Sequence, residues 1–343
     1  MKTFCPFRRC AFSTSTCQAV RPTSGIEAAS SMLRVLGFKA ARQMCRPWED
    51  FTFAARLLDR RRRDGVCAVV GLFGMIADAV GRESAELSGA HGLRQHPAVV
   101  SPAAACCGNG EGEALLSAFR ARLDQIFDGG LELPSPGSRS PQQHALHALA
   151  QTANRFGLRR ANFMRFAEER VRDAGIVRYP TWSKLERHCR ATGGSIAVAV
   201  GEVLGMQHSD AAGAIETLGA GLRLVQVLRD IATDRARDRV YVPLEDLARC
   251  RYSEKDLLAG VVNDRLDALW KFEGDRVRSL LDAGCESIPW IAGDKSRLFA
   301  ATVIALARAT LDRPPTRPRL TTAKRLRQLP SAWRIARDAV TGT

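Results

Sequence analysis

Asp230 and Asp234 stand one helical turn apart in the stretch VLRDIATDRARDRVYVP, residues 227–243. Side chains four residues apart share a helix face. Two carboxylates there offer hard oxygen donors of the kind that hold Mg2+, or Mn2+ in its place, together with substrate phosphates. The surrounding segment is apolar. On a helical wheel Ile215, Leu218, Leu222, Leu224, Val225, Val227, Leu228 and Ile231 cover roughly two thirds of the circumference. Arg223, Gln226, Asp230 and Asp234 fall together in the remaining sector. A helix so apolar is expected to be mostly buried, with its polar stripe lining an interior pocket. Two ionised carboxylates are costly in such a place unless a cation compensates them. The plain alternative is a solvated helix end, with Asp234 paired to Arg235, Arg237 or Arg239. Spacing alone does not separate these readings.

The elements that must position the pair are helices. Valine-rich alternation is almost absent, and Ala, Leu and Arg at helical spacing dominate, which predicts an all-α fold. Helices are expected from Phe51, through an apolar core helix at Gly65–Gly81, and then at 113–127, 142–155, 159–173, 182–205, 208–234, 254–283 and 296–312. Long loops are expected at 84–112 and 129–141. These loops read as insertions in a single domain covering 45–337. Residues 1–44 form a separate disordered or transit-like tail, whose first 26 residues hold no acid and many Ser and Thr. The expected location is the cytoplasm, or an organelle if that tail directs import.

The chain has 343 residues and a formal charge of +15; of its 51 Lys and Arg only seven are lysine. Arginine's planar fork suits phosphate and carboxylate, so the balance permits anionic partners. Aromatic residues make up only 6% and do not interleave with the basic runs, so the stacking platforms of a nucleic-acid surface are missing. The basic stretch Arg313–Arg337 is better suited to peripheral contact with an anionic membrane, or to a plain solvated face. The ten cysteines show no C-x-x-C pair or zinc spacing, so reduced thiols are expected. His144 and His147 lack a third ligand and read as surface residues.

The stretch LRDIATDRARDRVYVP resembles the second aspartate-rich region of the squalene/phytoene synthase family, which joins two prenyl diphosphates head to head. The family pattern R-D-x-x-x-D followed by R-x-Y-x-P is matched by Arg229, Asp230, Asp234, Arg239, Tyr241 and Pro243. In DAGIVRYPTWSKLERHCRATGGSIAVAVG, Asp173, Tyr179, Cys189 and Gly194 also align. DFTFAARLLDRRRRDGVCAVVGLFGMIADAVG resembles the N-terminal helix pair, and LFAATVIALARATLDR and RLTTAKRLRQLP resemble the closing helices. The likeness covers about residues 45–335. It implies an isoprenoid-synthase-type helical bundle around a central apolar cavity, with aspartate-rich helices facing across its mouth. It also implies Mg2+ on Asp230, Asp234 and Asp78, with Gln226, Arg229, Arg239, Tyr241 and His188 around the diphosphate. Squalene-forming relatives use NADPH without a G-x-G-x-x-G fingerprint, and none is present here, so NADPH use stays undecided.

Departures from the family pattern concentrate on the opposing helix. Where D-D-x-x-D is usual, the sequence reads Ala77-Asp78-Ala79-Val80-Gly81; Gly74 replaces an arginine and Val70 a tyrosine. Asp50 stands in place of a diphosphate-contacting serine, which would repel the ligand. His188, Arg223 and Gln226 replace a tyrosine, a glutamine and an asparagine. One diphosphate site is therefore expected to be largely intact and the other crippled, with Asp78 either a surviving ligand or an acid on a helix that only packs. Two functions follow from the resemblance. One is a phytoene/squalene-type prenyl transferase using geranylgeranyl or farnesyl diphosphate. The other is a non-catalytic binding or assembly factor.

Overall fold

Capping residues and glycines divide the helical sequence into discrete rods. The structure is a computed structural model and describes residues 49–87, 109–131, 140–206, 211–313 and 320–342. Among them there is no strand, only two isolated bridges, Arg178 with Val240 and Met206 with Ile291. The helices are α1 (Glu49–Ala54), α2 (Arg60–Leu87), α3 (Asn109–Phe127), α4 (Pro141–Phe156), α5 (Arg160–Ala174), α6 (Trp182–Cys189) and α7 (Ser195–Leu204). There follow α8 (Ala211–Arg235), α9 (Leu244–Arg249), α10 (Glu254–Ala259), α11 (Asp264–Cys285), α12 (Asp294–Leu311), α13 (Thr322–Leu326) and α14 (Leu329–Thr341). In α4 the local rules are visible together. Ser140 accepts a hydrogen bond from the Gln143 amide, Pro141 opens the helix, and Gly157 closes it in the left-handed conformation.

The all-α expectation holds, and two expected helices prove to be interrupted. The one foreseen at 254–283 is broken by Gly260, at φ 71°, and restarted by Asn263, whose side chain caps the amides of Arg265 and Leu266. The one foreseen at 182–205 contains a π-helical segment, Arg190–Gly194, between α6 and α7. The apolar segment at 65–81 is the buried middle of a longer helix, α2, as expected of a core helix. The tail at 1–44, most of the 84–112 loop and the Ser209–Asp210 capping signal lie outside the described residues.

Helices α2, α5 and α7 pack on one another, and α8 lies against α7, α11 and the π-segment. Between α2, α3 and α5 the interior is filled by aromatic rings. Phe73 stacks on Phe163 at 4.9 Å and meets Phe166 edge-on at 4.8 Å, while Phe127 tilts against Phe163 at 5.7 Å. Rings in such offset and edge-on contacts gain about 1 kcal/mol each beyond the area they bury. By length and composition one helix among the described residues, α8, is apolar enough to cross a membrane, but 56% of its apolar window is buried inside the protein.

Candidate active site

Two glycines set how closely α8 approaches the wall behind it. A Cβ on Gly193, in the π-segment, would overlap the Gly219 carbonyl oxygen on α8 and sit 2.6 Å from the Arg223 Cβ. A Cβ on Gly219 would overlap the Gly193 carbonyl in turn. Neither backbone can yield, so only glycine fits at this crossing. π-helical bulges often mark functional sites because they re-aim one turn of side chains. Here the bulge lets Arg223 and the polar stripe beyond it lie against the π-segment wall.

Along that stripe, Arg223 donates to Gln226 at 3.2 Å, and Asp230 accepts a forked pair of bonds from Arg229 at 2.9 and 3.1 Å. Asp230 and Asp234 are half-buried. Burial raises the Asp234 pKa and the neighbouring Asp230 charge raises it further; Arg223, Arg237 and Arg239 pull it back, leaving it pushed up to about 6. Asp234 therefore resists carrying a negative charge beside Asp230. Two hard oxygen donors one turn apart on a half-buried helix face fit a divalent cation such as Mg2+, although arginines already meet part of their charge.

Below the stripe lies a polar core centred on Asp173, which has no exposed surface. It accepts hydrogen bonds from Tyr179 at 2.7 Å, Tyr241 at 2.8 Å and Arg170 at 2.8 Å. Arg239 donates to the Tyr241 hydroxyl at 3.0 Å and to the carbonyls of Asp173 and Ala174 at 3.2 and 2.7 Å. Burial alone would raise the Asp173 pKa, yet His188, Arg170, Arg239 and the Tyr179 hydroxyl outweigh it and hold this carboxyl below its usual range. Burial likewise pushes the Tyr241 phenol up to about 12 and that of Tyr179 higher still. The two phenol rings stack at 5.4 Å, with the His188 ring tilted against both. His188 is fully enclosed. Desolvation lowers its pKa despite Glu169 and Asp173, and its Nδ1 faces the Glu169 carboxylate at 3.1 Å. It is thus part of the polar core and presents no surface to a ligand in this conformation.

The strap after α8 is held by backbone pairing. Val240 donates to the Val177 carbonyl and Tyr179 to the Val240 carbonyl, which carries Arg239 and Tyr241 over Asp173. Asp238 turns the chain at φ 54°, and Arg178 grips both its carbonyl and its carboxylate, offsetting the strain of a left-handed non-glycine residue. Farther along, Asp246 on α9 binds Arg276 of α11 at 2.8 Å, and Arg276 stacks on Trp182 at 4.1 Å.

A cleft of about 440 Å3, open to solvent, runs beside the stripe between α1, α8 and α12. Gln226, Arg229, Leu222 and Val225 form its α8 wall, and Phe51, Val303 and Ala307 form apolar parts of the others. Asp230 and Asp234 are not among its lining residues: where an interior pocket along the stripe was expected, this open cleft reaches the stripe at Gln226, and Asp234 instead feels the charges of Arg223, Arg237 and Arg239. The cleft also contains Glu49 and Asp50. Asp50 does not stand there as an unopposed charge: Arg325 of α13, itself buried, donates to Asp50 at 2.8 Å and to Glu49 at 2.6 Å. In the bare protein the expected repulsion at Asp50 is met by this arginine. Nothing in the sequence singled Arg325 out from the other basic residues of its tail. The same is true of Glu169 and Arg170, although the i, i+3 spacing of Arg170 and Asp173 was a visible signal.

Asp78 is exposed on α2, and α2 packs on α4, α5 and α7. Among the described residues no group of three His, Cys, Asp or Glu side chains stands close enough to hold a metal. His147 bonds Gln151 at 2.9 Å, and His144 is buried on the same helix rather than at the surface expected for it. The four cysteines among the described residues are free thiols.

Comparison with known proteins places this geometry. The chain is 31% identical over 238 residues to 15-cis-phytoene synthase of Synechocystis sp., an alignment covering 64% of this chain and 67% of the relative. It is 28% identical over 193 residues to 15-cis-phytoene synthase of Synechococcus elongatus, covering 53% and 59%. Phytoene synthase 2, chloroplastic, of Solanum lycopersicum is 27% identical over 203 residues, covering 57% and 62%. The chain thus spans about two thirds or less of the length of these relatives. Among solved structures, squalene synthase HpnC from Alicyclobacillus acidocaldarius aligns with TM-score 0.63 and 22% identity, over 82% of this chain and 94% of that one. A dehydrosqualene synthase in complex with ligand aligns with TM-score 0.66 and 19% identity, over 87% and 96%. These two share the all-α fold. Residues 46–334, nearly all of the described structure, match the squalene/phytoene synthase profile, and the chain belongs to that family.

Proposed function

We propose that the protein is a Mg2+-dependent prenyl transferase of phytoene/squalene synthase type, joining two prenyl diphosphates, geranylgeranyl or farnesyl, head to head. The observation that carries this reading is the Asp230–Asp234 pair, half-buried at the end of a core helix with Arg223, Arg229 and Arg239 beside it. Bound there, Mg2+ would neutralise the diphosphate as it leaves. Arg229 and Arg239 add fixed positive charge on either side of the pair. The allylic C–O bond breaks with its electron pair leaving on diphosphate, the double bond of the second chain attacks the resulting cation, and a proton is lost as a cyclopropane closes. The second diphosphate then leaves, and the rearranged cation loses a proton to give a hydrocarbon. Water must be kept from each cation, and Phe51, Leu222, Val225, Val303 and Ala307 are the apolar side chains the cleft offers for it. Purified protein incubated with labelled geranylgeranyl or farnesyl diphosphate and Mg2+ should yield a hydrocarbon, and chelation should stop it. Absence of any turnover of either substrate sinks the reading.

A second reading, a non-catalytic binding or assembly factor, is favoured by one observation: Asp78, the one acid left of the first motif, stands exposed on α2. It predicts that Asp230→Ala, with the fold intact, leaves cellular function unchanged. Prenyl transfer predicts loss. Under either reading we propose that the protein works in the cytoplasm, or in an organelle if the N-terminal residues direct import. A fluorescent fusion of the full chain, compared with one lacking those residues, tests the location.

A further inference from the structure

Half of the exposed large apolar side chains among the described residues fall within one short stretch near the C-terminus: Leu326 at 52%, Trp333 at 56% and Val340 at 51% exposure. Leu326 ends α13, and Trp333 and Val340 do not scatter around α14. α14 turns Ala332, Ile335, Ala336 and Ala339 toward the core and packs on α12. Trp333 and Val340, seven residues apart, therefore share the opposite, outward side. An indole at a surface is costly to leave in water and is at home where an apolar medium meets a polar one.

Charge surrounds the same face. Residues 320–342 contain five Lys or Arg and a single acid, Asp338. One of the five, Arg325, turns inward to Glu49 and Asp50, and Arg337 is paired with Asp338 while lying 5.2 Å over the Trp333 ring. Lys324, Arg327 and Arg334 remain exposed around the apolar stripe. A helix with an indole and aliphatic groups in front and basic residues beside them has the makeup of an interfacial helix on anionic lipid.

Position adds the second argument. α13 is two-sided: Arg325 reaches the cleft wall at Glu49 and Asp50, while Lys324, Leu326 and Arg327 face out. Whatever docks on this face thus sits beside the cleft between α1, α8 and α12. We propose that the outer face of α13 and α14 rests on an anionic lipid bilayer, with Trp333, Val340 and Leu326 entering the headgroup region and Lys324, Arg327 and Arg334 contacting acidic headgroups. The contact orients the cleft toward the bilayer. It stands whether or not the carboxylates ionise a prenyl diphosphate.

The test is co-sedimentation of the full chain with vesicles of phosphatidylcholine alone and of phosphatidylcholine mixed with phosphatidylglycerol. The protein should sediment with the mixed vesicles at low salt, less at physiological salt, and little with the neutral ones. Lys324→Glu, Arg327→Glu and Arg334→Glu together should lower partitioning by at least about a hundredfold, and Trp333→Ser should lower it several-fold in a protein of unchanged circular dichroism. Three outcomes overturn the proposal: no binding to mixed vesicles, binding as strong to neutral vesicles, or binding that both variants leave intact. A concentration-dependent dimer without lipid that Trp333→Ser abolishes would overturn it as well, assigning the face to a second copy of the chain.

Discussion

Asp234 keeps its proton up to about pH 6 because burial and the Asp230 charge both oppose ionisation. In the unfolded chain the same carboxyl ionises near its ordinary value of 3.8. Between these values the unfolded state releases a proton that the folded state retains, so stability is lost as pH rises across the window. The loss at neutral pH is about 2 kcal/mol after allowing for partial exposure. Asp234→Asn should remove that slope in denaturant titrations from pH 4 to 7, and a slope unchanged in the variant would mean the carboxylate is simply solvated. Mg2+ with inorganic pyrophosphate should raise the melting temperature of the parent protein above pH 6 and fail to do so in the variant. Asp173 presents the opposite case, an ionised carboxylate enclosed by two phenols and two arginines. Asp173→Ala leaves Arg170 and Arg239 without their buried counter-ion and should cost about 3–5 kcal/mol, read by chemical unfolding.

At the scale of elements, the crossing of α8 over the π-segment decides where the stripe of α8 lies. Gly193→Ala forces a Cβ into the Gly219 backbone, and neither rod can shift without dragging its own packing. A destabilisation of about 3 kcal/mol or more is expected, near the upper end for overpacking. Gly213→Ala, on the same helix with open space around it, should be neutral or slightly stabilising and serves as the control. A second joint ties α9 to α11. Glu273 is buried beside Asp246 and Arg276, and burial, the larger influence, together with the Asp246 charge holds its carboxyl well above the usual range against the pull of Arg276. Its contribution is therefore present below the ordinary glutamate pKa and lost as pH rises toward the elevated folded value. Glu273→Gln, the isostere of the protonated acid, should keep the fold and flatten that part of the stability profile. Unfolding at a rising pH series measures it.

Across the whole molecule, the two ends of the described chain meet at the cleft. Arg325 reaches back 276 residues to Glu49 and 275 to Asp50, so the last helices are fastened to the first. Arg325→Gln should loosen α13 and α14 without unfolding the bundle, with amide exchange across 322–341 faster by about tenfold. Uniform exchange over the whole chain would instead indicate global destabilisation. Because Arg325 is the group that offsets the acids at the cleft, the variant should also expose Asp50 to any approaching diphosphate and weaken pyrophosphate binding.

Periodicity and the spacing of a few polar residues were enough to determine that the described residues fold as helices, where most of the rods run, and that Asp230 and Asp234 share the end of α8 just before the strap carrying Arg239 and Tyr241. All of these depend on neighbours within a turn or two, where helix geometry is universal. The family pattern matched by those residues was likewise legible, as was the erosion around Asp78. Tertiary structure alone decided that His188 is sealed against Glu169, that Asp173 is the hub under the strap, and that Asp50 is answered by Arg325. Each of these contacts joins residues far apart in sequence, and its energy depends on burial, which no local spacing encodes. The glycine crossing that aligns α8 is of the same kind: its cause is a backbone from another segment arriving within van der Waals range.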